Sequence, residues 1–200
     1  MQAALNQFKT NIQHVRNLGT IYRALKAQTT GILDLSDILR AELVLAVSAL
    51  DYFVHEIVRL GVLESYHGQR PQTEAFLRFQ ITLQSAIQGI SSPMSNAWLD
   101  DQIRTRHSYQ SFQHPERIAD AIRLISDAGL WDAVASQLGS NVEGVKQKLT
   151  LIVNRRNQIA HEADCDPSYP GRRWPIDNSL VDDSIDFIER LCEALFTVVT

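Results

Sequence analysis

The chain has 200 residues, of which 44% are hydrophobic and 21% are charged. These values exclude an intrinsically disordered, collagenous or low-complexity chain, and the length predicts a single domain over residues 1–200. The formal net charge of -4 excludes a uniformly basic surface for gripping nucleic acid, although a local basic cleft is compatible with it.

Helical periodicity dominates the chain, and strand patterns are nearly absent. Apolar residues at alternating three- and four-residue spacing predict a first helix over residues 3–27, which Thr29-Thr30-Gly31 ends. Ser36 is the expected N-cap of a second helix over residues 37–66, and His67-Gly68 is its expected C-terminal stop.

Several shorter helices are predicted to follow. They cover residues 72–89, about 94–106, a segment that starts at His114-Pro115 with the proline in its first turn, and 130–138, which Gly139 closes. Asn141 is the expected cap of a long helix to about residue 162, and a last helix spans about 179–199. The sequence therefore predicts an all-α fold, with a four-helix-bundle core and additional short helices inserted between the second helix and the helix after Asn141.

The cysteines and the apolar stretches indicate where the chain resides. Cys165 and Cys192 are too few for a disulfide framework or a cysteine zinc site, so we expect free thiols in a reducing cytoplasm. The most apolar stretch, residues 43–50, is far shorter than the roughly 18 residues of a membrane-spanning helix. The histidines lack metal-ligand spacing, so neither a metal nor another cofactor is expected.

The long helix after Asn141 carries the most informative side chains. One arc of about 80° on an ideal helix holds its apolar residues Val145, Leu149, Ile152 and Ile159. Arg156 lies in the middle of this arc, and a buried arginine needs a partner because an unpaired buried charge is very costly. Asp51 on the second helix is the expected partner across the bundle. Such a pair is either architectural or a means of holding a functional arginine. His55, one turn further on, either flanks the apolar face or supports the site, and Arg155 is a further supporting candidate.

The spacing of the polar residues on this helix leaves two arrangements open. Asn157 and His161 are four residues apart and share a face. Arg156 and His161 are five residues apart, about 140° around an ideal helix, and therefore point in different directions. They meet in one site if the helix distorts or ends between them, or if the site collects groups from two chains. At a helix C-terminus, His161 is also favoured by the helix dipole alone.

The stretch Arg156-Asn157-Gln158-Ile159-Ala160-His161 resembles the Arg-polar-x-x-x-His signature of the HEPN superfamily, the higher eukaryote and prokaryote nucleotide-binding domains. Four longer stretches are similar to its RiboL-PSP branch: residues 43–59, 114–125, 152–166 and 172–177. The resemblance extends from about residue 35 to the C-terminus.

This resemblance implies a four-helix core and a homodimer in which the motifs of two chains face one cleft. It also implies a metal-independent endoribonuclease of a toxin–antitoxin or phage-defence system, with RNA as substrate and an antitoxin or defence-system protein as partner. Arg156 and His161 would be the catalytic pair, and Asn157 the supporting polar residue. Another branch carries a modifiable tyrosine two residues after the histidine, where this chain has Ala163.

The residue types suit RNA cleavage by the 2′-hydroxyl of the RNA itself. Histidine titrates near neutrality and moves the proton, while arginine offers a fixed fork of donors to phosphate oxygens. Either Arg155 or Arg156 would reach the phosphate. The expected products are a 2′,3′-cyclic phosphate and a 5′-hydroxyl, and no metal is required.

A second basic segment follows the motif. Arg172 and Arg173, with Trp174, would grip RNA by charge and stacking, or Trp174 packs on the bundle within a structural loop. We expect Arg155, Arg156, Arg172 and Arg173 to gather beside one cleft, with the carboxylates elsewhere. The alternative function is a non-catalytic helical module that binds a nucleotide, a nucleic acid or a partner protein.

Overall fold

The computed structural model describes residues 1–29 and 33–200. Within these residues nine helices are found: α1 Gln2–Gln28, α2 Ser36–Tyr66, α3 Glu74–Leu77, α4 Leu83–Ser91, α5 Ala97–His107, α6 Pro115–Ile122, α7 Leu130–Leu138, α8 Val142–His161 and α9 Asn178–Val199. The extended pairing in the same residues is one isolated antiparallel bridge between Cys165 and Arg173. The all-α prediction is therefore confirmed.

The four long helices α1, α2, α8 and α9 form the core of the bundle. Helix α2 packs against the other three, and α1 also contacts α9. The reason is the sequence of α2, whose buried apolar residues cover more than half of its circumference, among them Ala49, Phe53, Ile57, Val47 and Val62. A helix that is hydrophobic on several faces is stable only when it is surrounded, so α2 takes the central position.

Helices α3 to α7 form the insertion between α2 and α8. Helices α5 and α6 pack on α2, whereas α7 packs on α8 and α9. Helices α5, α6 and α7 supply buried apolar side chains to the common core, among them Ile103, Ile118 and Val134. A four-helix core with short inserted helices is what the sequence predicts.

Several predicted helix ends are confirmed. Gly139 ends α7 with a left-handed φ of 63°, a conformation that glycine adopts without a Cβ clash. The Asn141 side chain caps α8 by accepting a 2.7 Å hydrogen bond from the Gly144 amide. Pro115 occupies the first turn of α6 after His114. None of the helices in the described ranges is both long and apolar enough to cross a membrane.

Two predictions about helix boundaries are wrong. Residues 72–89 form two short helices, because Thr73 and Thr82 each cap a new start by accepting hydrogen bonds from the backbone N–H three residues later. Ser36 is the first residue of α2 rather than its cap, and its hydroxyl accepts a 2.6 Å hydrogen bond from Arg40. In the predicted stop at 29–31, Thr29 is the C-cap of α1, whereas residues 30 and 31 lie outside the described residues.

Candidate functional site

The residues of the Arg-polar-x-x-x-His stretch occupy the last two turns of α8. Arg156 and Asn157 are half-buried, and His161 is exposed as the last residue of the helix. Helix α8 is continuous between Arg156 and His161, so the distortion that would let them share a face within one chain is absent. On a regular helix the two side chains remain about 140° apart.

Arg156 does not pair with Asp51, and that prediction is wrong. The Asp51 carboxylate instead accepts a 2.6 Å hydrogen bond from the Phe112 amide and a 3.1 Å hydrogen bond from the Gln113 side chain. It therefore ties the loop before α6 to α2. Among residues 1–29 and 33–200, no carboxylate lies within ion-pairing distance of Arg156, and its Nε is buried without a hydrogen-bond partner.

His55 belongs to the same loop attachment as Asp51. Its ring packs on Phe112 at a centroid distance of 4.4 Å and lies 6.0 Å from the ring of His107 on α5. Its Nε2 is 3.8 Å from the Asp51 carboxylate. These contacts are with α5 and the loop before α6. Asp51 and His55 therefore hold that loop, and the expectation that they support the α8 motif is wrong.

Arg155, the neighbour of Arg156, is the arginine that is locked in place. Its guanidinium lies 2.8 Å from Oδ1 of Asp164 and donates to Oδ2 at 3.0 Å. Arg40 on α2 donates to the same Oδ2 at 2.6 Å. Burial lowers the pKa of Arg155, Asp164 opposes this effect and Arg40 adds to it. Because arginine starts from a very high pKa, Arg155 stays charged.

The Arg40–Asp164–Arg155 network fixes the chain that leaves α8. Ala163 and Asp164 both have positive φ angles, 52° and 58°, and the Asp164 amide donates back to the Gln158 carbonyl at 3.0 Å. Both arginines also donate to the carbonyl of Trp174, whose own amide donates to the Asp164 carbonyl. Asp164 is 1% exposed, so this is a buried anchor three residues beyond His161.

The sequence reading missed Arg40 and Asp164. Asp164 follows α8 without any periodicity, and its partner Arg40 is separated from it by 124 residues. The signal that could have found them is chemical: a half-buried Arg155 requires a carboxylate, and Asp164 is close to it in the chain.

The two arginines of the loop after α8 have different surroundings. Arg173 forms ion pairs with Asp37 and, at 3.0 Å, with Asp34, both near the start of α2. A hydrogen bond to Asp37 raises the pKa of Arg173. Arg172 is exposed, its guanidinium 6.0 Å from the Tyr169 ring, and it has no ion pair in the described part of the chain. The expected separation of arginines from carboxylates is therefore wrong for Arg155 and Arg173.

The donor set offers no obvious metal centre. Within the described residues, no group of three His, Cys, Asp or Glu side chains is placed to hold a metal ion. Cys165 is an exposed free thiol and Cys192 a buried one. The motif at the end of α8 thus offers the Arg156 guanidinium, which has no ion pair among the described residues, the Asn157 amide and the His161 imidazole.

The family model described as RiboL-PSP-HEPN matches residues 9–200. The chain belongs to this family. Searches of the curated proteins and of the solved structures give no match. RiboL-PSP-HEPN membership confirms the resemblance carried by the α8 motif, and it supports a nucleic-acid-related role, of which RNA cleavage is one form.

Proposed function

We propose that this RiboL-PSP-HEPN chain is a metal-independent endoribonuclease of a toxin or phage-defence type. The observation that carries the proposal is the contrast between two adjacent arginines. Arg155 is neutralised by Asp164, whereas Arg156, in the first position of the Arg-polar-x-x-x-His stretch, has no carboxylate partner among the described residues. A guanidinium without a carboxylate is available to phosphate oxygens.

The proposed reaction needs only groups that this part of α8 provides. The 2′-oxygen of the RNA bonds to phosphorus while the bond from phosphorus to the 5′-oxygen breaks. His161 takes the 2′-hydroxyl proton and later returns a proton to the 5′-oxygen. Arg156 stabilises the extra negative charge on phosphorus, and Asn157, on the same face as His161, orients the substrate. The products are a 2′,3′-cyclic phosphate and a 5′-hydroxyl.

The proposed site is composite and requires a homodimer. Because Arg156 and His161 lie about 140° apart on one helix, Arg156 of one protomer would act with His161 of a second copy. Exposed Arg172 is the remaining candidate for phosphate contact, since Arg173 is occupied by Asp34 and Asp37. An antitoxin or another defence-system protein would restrain such an activity in the cell.

Cleavage of RNA in the presence of EDTA tests the chemistry. We expect His161→Ala and Arg156→Ala to lower the rate by about 100-fold or more, because each removes a group acting on the transition state. His14→Ala and Arg23→Ala are matched controls, since both side chains are exposed on α1. RNA methylated at the 2′-oxygen should resist cleavage. A dependence on added metal, or unchanged rates in both motif variants, would contradict the proposal and favour the non-catalytic module.

Mixing the two inactive variants tests the composite site. A mixed dimer of Arg156→Ala and His161→Ala chains retains one site with both groups intact if each site draws on two chains. Random mixing should then restore about a quarter of wild-type activity, because half of the dimers are mixed and one of the two sites in each mixed dimer is intact. If both groups come from one chain, mixing restores nothing.

A further inference from the structure

The insertion holds a cavity of about 210 Å³ between α3, α5 and α6. Its polar lining includes Arg78 at the end of α3, Arg106 and His107 at the end of α5, and Arg117 and Asp120 on α6. No residue of α8, or of the loop that follows it, lines this cavity. It is therefore separate from the proposed nuclease site.

The lining of this cavity is positively charged, although the whole chain carries a net charge of -4. In the described ranges, neither Arg106 nor Arg117 has a carboxylate within ion-pairing distance. Arg106 is held by a 3.1 Å hydrogen bond to the Gln80 carbonyl and lies over the Phe79 ring. Asp120, which also lines the cavity, forms an ion pair with Arg123. Three arginines and one aspartate therefore line the cavity, which leaves an excess of positive charge there.

His107 forms a buried polar part of the same wall. The residue is 4% exposed, and its Nδ1 has no hydrogen-bond partner in the described part of the chain. Burial lowers the pKa of His107 to about 4, and the charges of His55 and Arg106 act in the same direction. The ring is thus neutral near pH 7 and offers one N–H donor and one acceptor. A buried polar atom without a protein partner is uncommon in proteins, and a water molecule or a ligand would satisfy it.

We propose that this cavity binds the phosphate group of a nucleotide or of an RNA strand, with Arg106 and Arg117 as its principal ligands. Guanidiniums donate paired hydrogen bonds to phosphate oxygens, and a phosphate monoester carries more negative charge near pH 7 than a carboxylate does. The cavity is smaller than the roughly 300–1,000 Å³ of pockets that enclose a whole small molecule. It therefore holds the phosphate while the rest of the nucleotide remains outside.

Calorimetric titration of the full-length protein tests the proposal. The probes are AMP, adenosine, and a 2′-O-methyl RNA tetranucleotide with or without a 5′-phosphate. The methylated RNA is not cleaved, so turnover at α8 does not alter the titration. Titration of the Arg156→Ala protein, which lacks the phosphate contact proposed for α8, separates binding at the cavity from binding at α8. AMP binding as tightly as the tetranucleotide identifies a free nucleotide as the ligand. Binding of the tetranucleotide alone identifies an RNA strand, with a terminal site if the 5′-phosphate is required.

Variants on α5 and α6 locate the binding. Arg117→Gln changes an exposed side chain and should weaken phosphate binding about tenfold, the loss typical of one charge-assisted hydrogen bond. Arg106→Gln should act similarly. Arg104→Gln is the matched control, because Arg104 lies on α5 outside the cavity lining and pairs with Asp100. The proposal fails if the phosphorylated probes bind no better than adenosine, or if Arg104→Gln weakens binding as much as Arg117→Gln.

Discussion

The Arg40–Asp164–Arg155 network beside α8 and the cavity of the insertion differ in whether their arginines have carboxylate partners. Beside α8, Arg155 and Arg40 share Asp164, and Arg173 is held by Asp34 and Asp37. In the insertion, Arg106 and Arg117 face a cavity without a carboxylate partner in the described residues. The charge of an arginine is available to a ligand only where the fold brings no aspartate to it. Arginines that are neighbours in the sequence carry the same charge but differ in whether a carboxylate neutralises it.

The largest expected effect on stability comes from removing the charge of Asp164 in the Arg40–Asp164–Arg155 network. Asp164→Asn keeps a residue that tolerates positive φ but removes the charge between two guanidiniums. We expect the free energy of unfolding to fall by about 3–5 kcal/mol, because the half-buried Arg155 loses its counter-charge and the buried Arg40 keeps only Asp37, 3.8 Å away, among the described residues. Urea denaturation measures this free energy. A decrease smaller than that caused by breaking an exposed ion pair would show that the network is dispensable for stability.

Glu42 offers the converse case, a buried carboxylate without an ion-pair partner in the described chain. Glu42 is 1% exposed and packs against Gly19 of α1. Neither of its carboxylate oxygens accepts a well-aligned hydrogen bond from the described residues. Burial raises the pKa of Glu42 to about 7, Asp182 adds to this, and Arg23 and Arg16 oppose it. The unfolded chain releases this proton near pH 4.5, so folding loses stability as pH rises from about 4.5 to 7.

We expect that loss to be about 3 kcal/mol, the free energy that corresponds to the pKa difference. Glu42→Gln should abolish the decline over this pH range, because the amide does not titrate. Chemical denaturation at pH 5, 6, 7 and 8 compares the two slopes, which remain informative even if the amide changes stability uniformly. An identical slope in the variant would assign the decline to another group.

The smallest expected effect is that of the exposed pair between Asp34 and Arg173. Hydrogen bonds from Ser36 lower the pKa of Asp34, and Arg173 contributes to the same shift. Asp34→Asn keeps an acceptor for the Ser36 amide and removes the charge. Solvent screens the pair, so we expect a change in unfolding free energy below about 1 kcal/mol. A loss as large as that of Asp164→Asn would erase the difference between the buried and exposed pairs.

Periodicity predicted most of the fold because burial imposes it. The apolar spacing of α2 and α9 follows directly from their packing in the core. Gly139 marks the end of α7, and Asn141 marks the start of α8, by local chemistry. Residues 72–89 were harder, because two threonine caps interrupt a stretch whose apolar spacing suits one helix.

The site was predicted less completely because its partners are set by tertiary contacts. The position of Arg156 on the apolar arc of α8 predicts an ion pair with a carboxylate, and helical geometry favours Asp51 on α2 as the partner. Asp51 is taken by the Phe112 amide, since the loop before α6 crosses that part of α2. Helical geometry does not reveal where such a loop passes. The roles of Arg156, Asn157 and His161 remain predictions that the cleavage experiments decide.

The loop that follows α8 begins with Ala163 and Asp164, whose backbones are in the left-handed conformation. The base of this loop tolerates changes in length less well than its tip does. At its base, one residue added or removed between His161 and Asp164 would rotate the carboxylate away from Arg40 and Arg155. At its tip, residues 167–171 are exposed, so the chain there can lengthen without disturbing buried polar groups. A reporter peptide or a labelling site therefore belongs at the tip, from which it would leave the end of α8 intact.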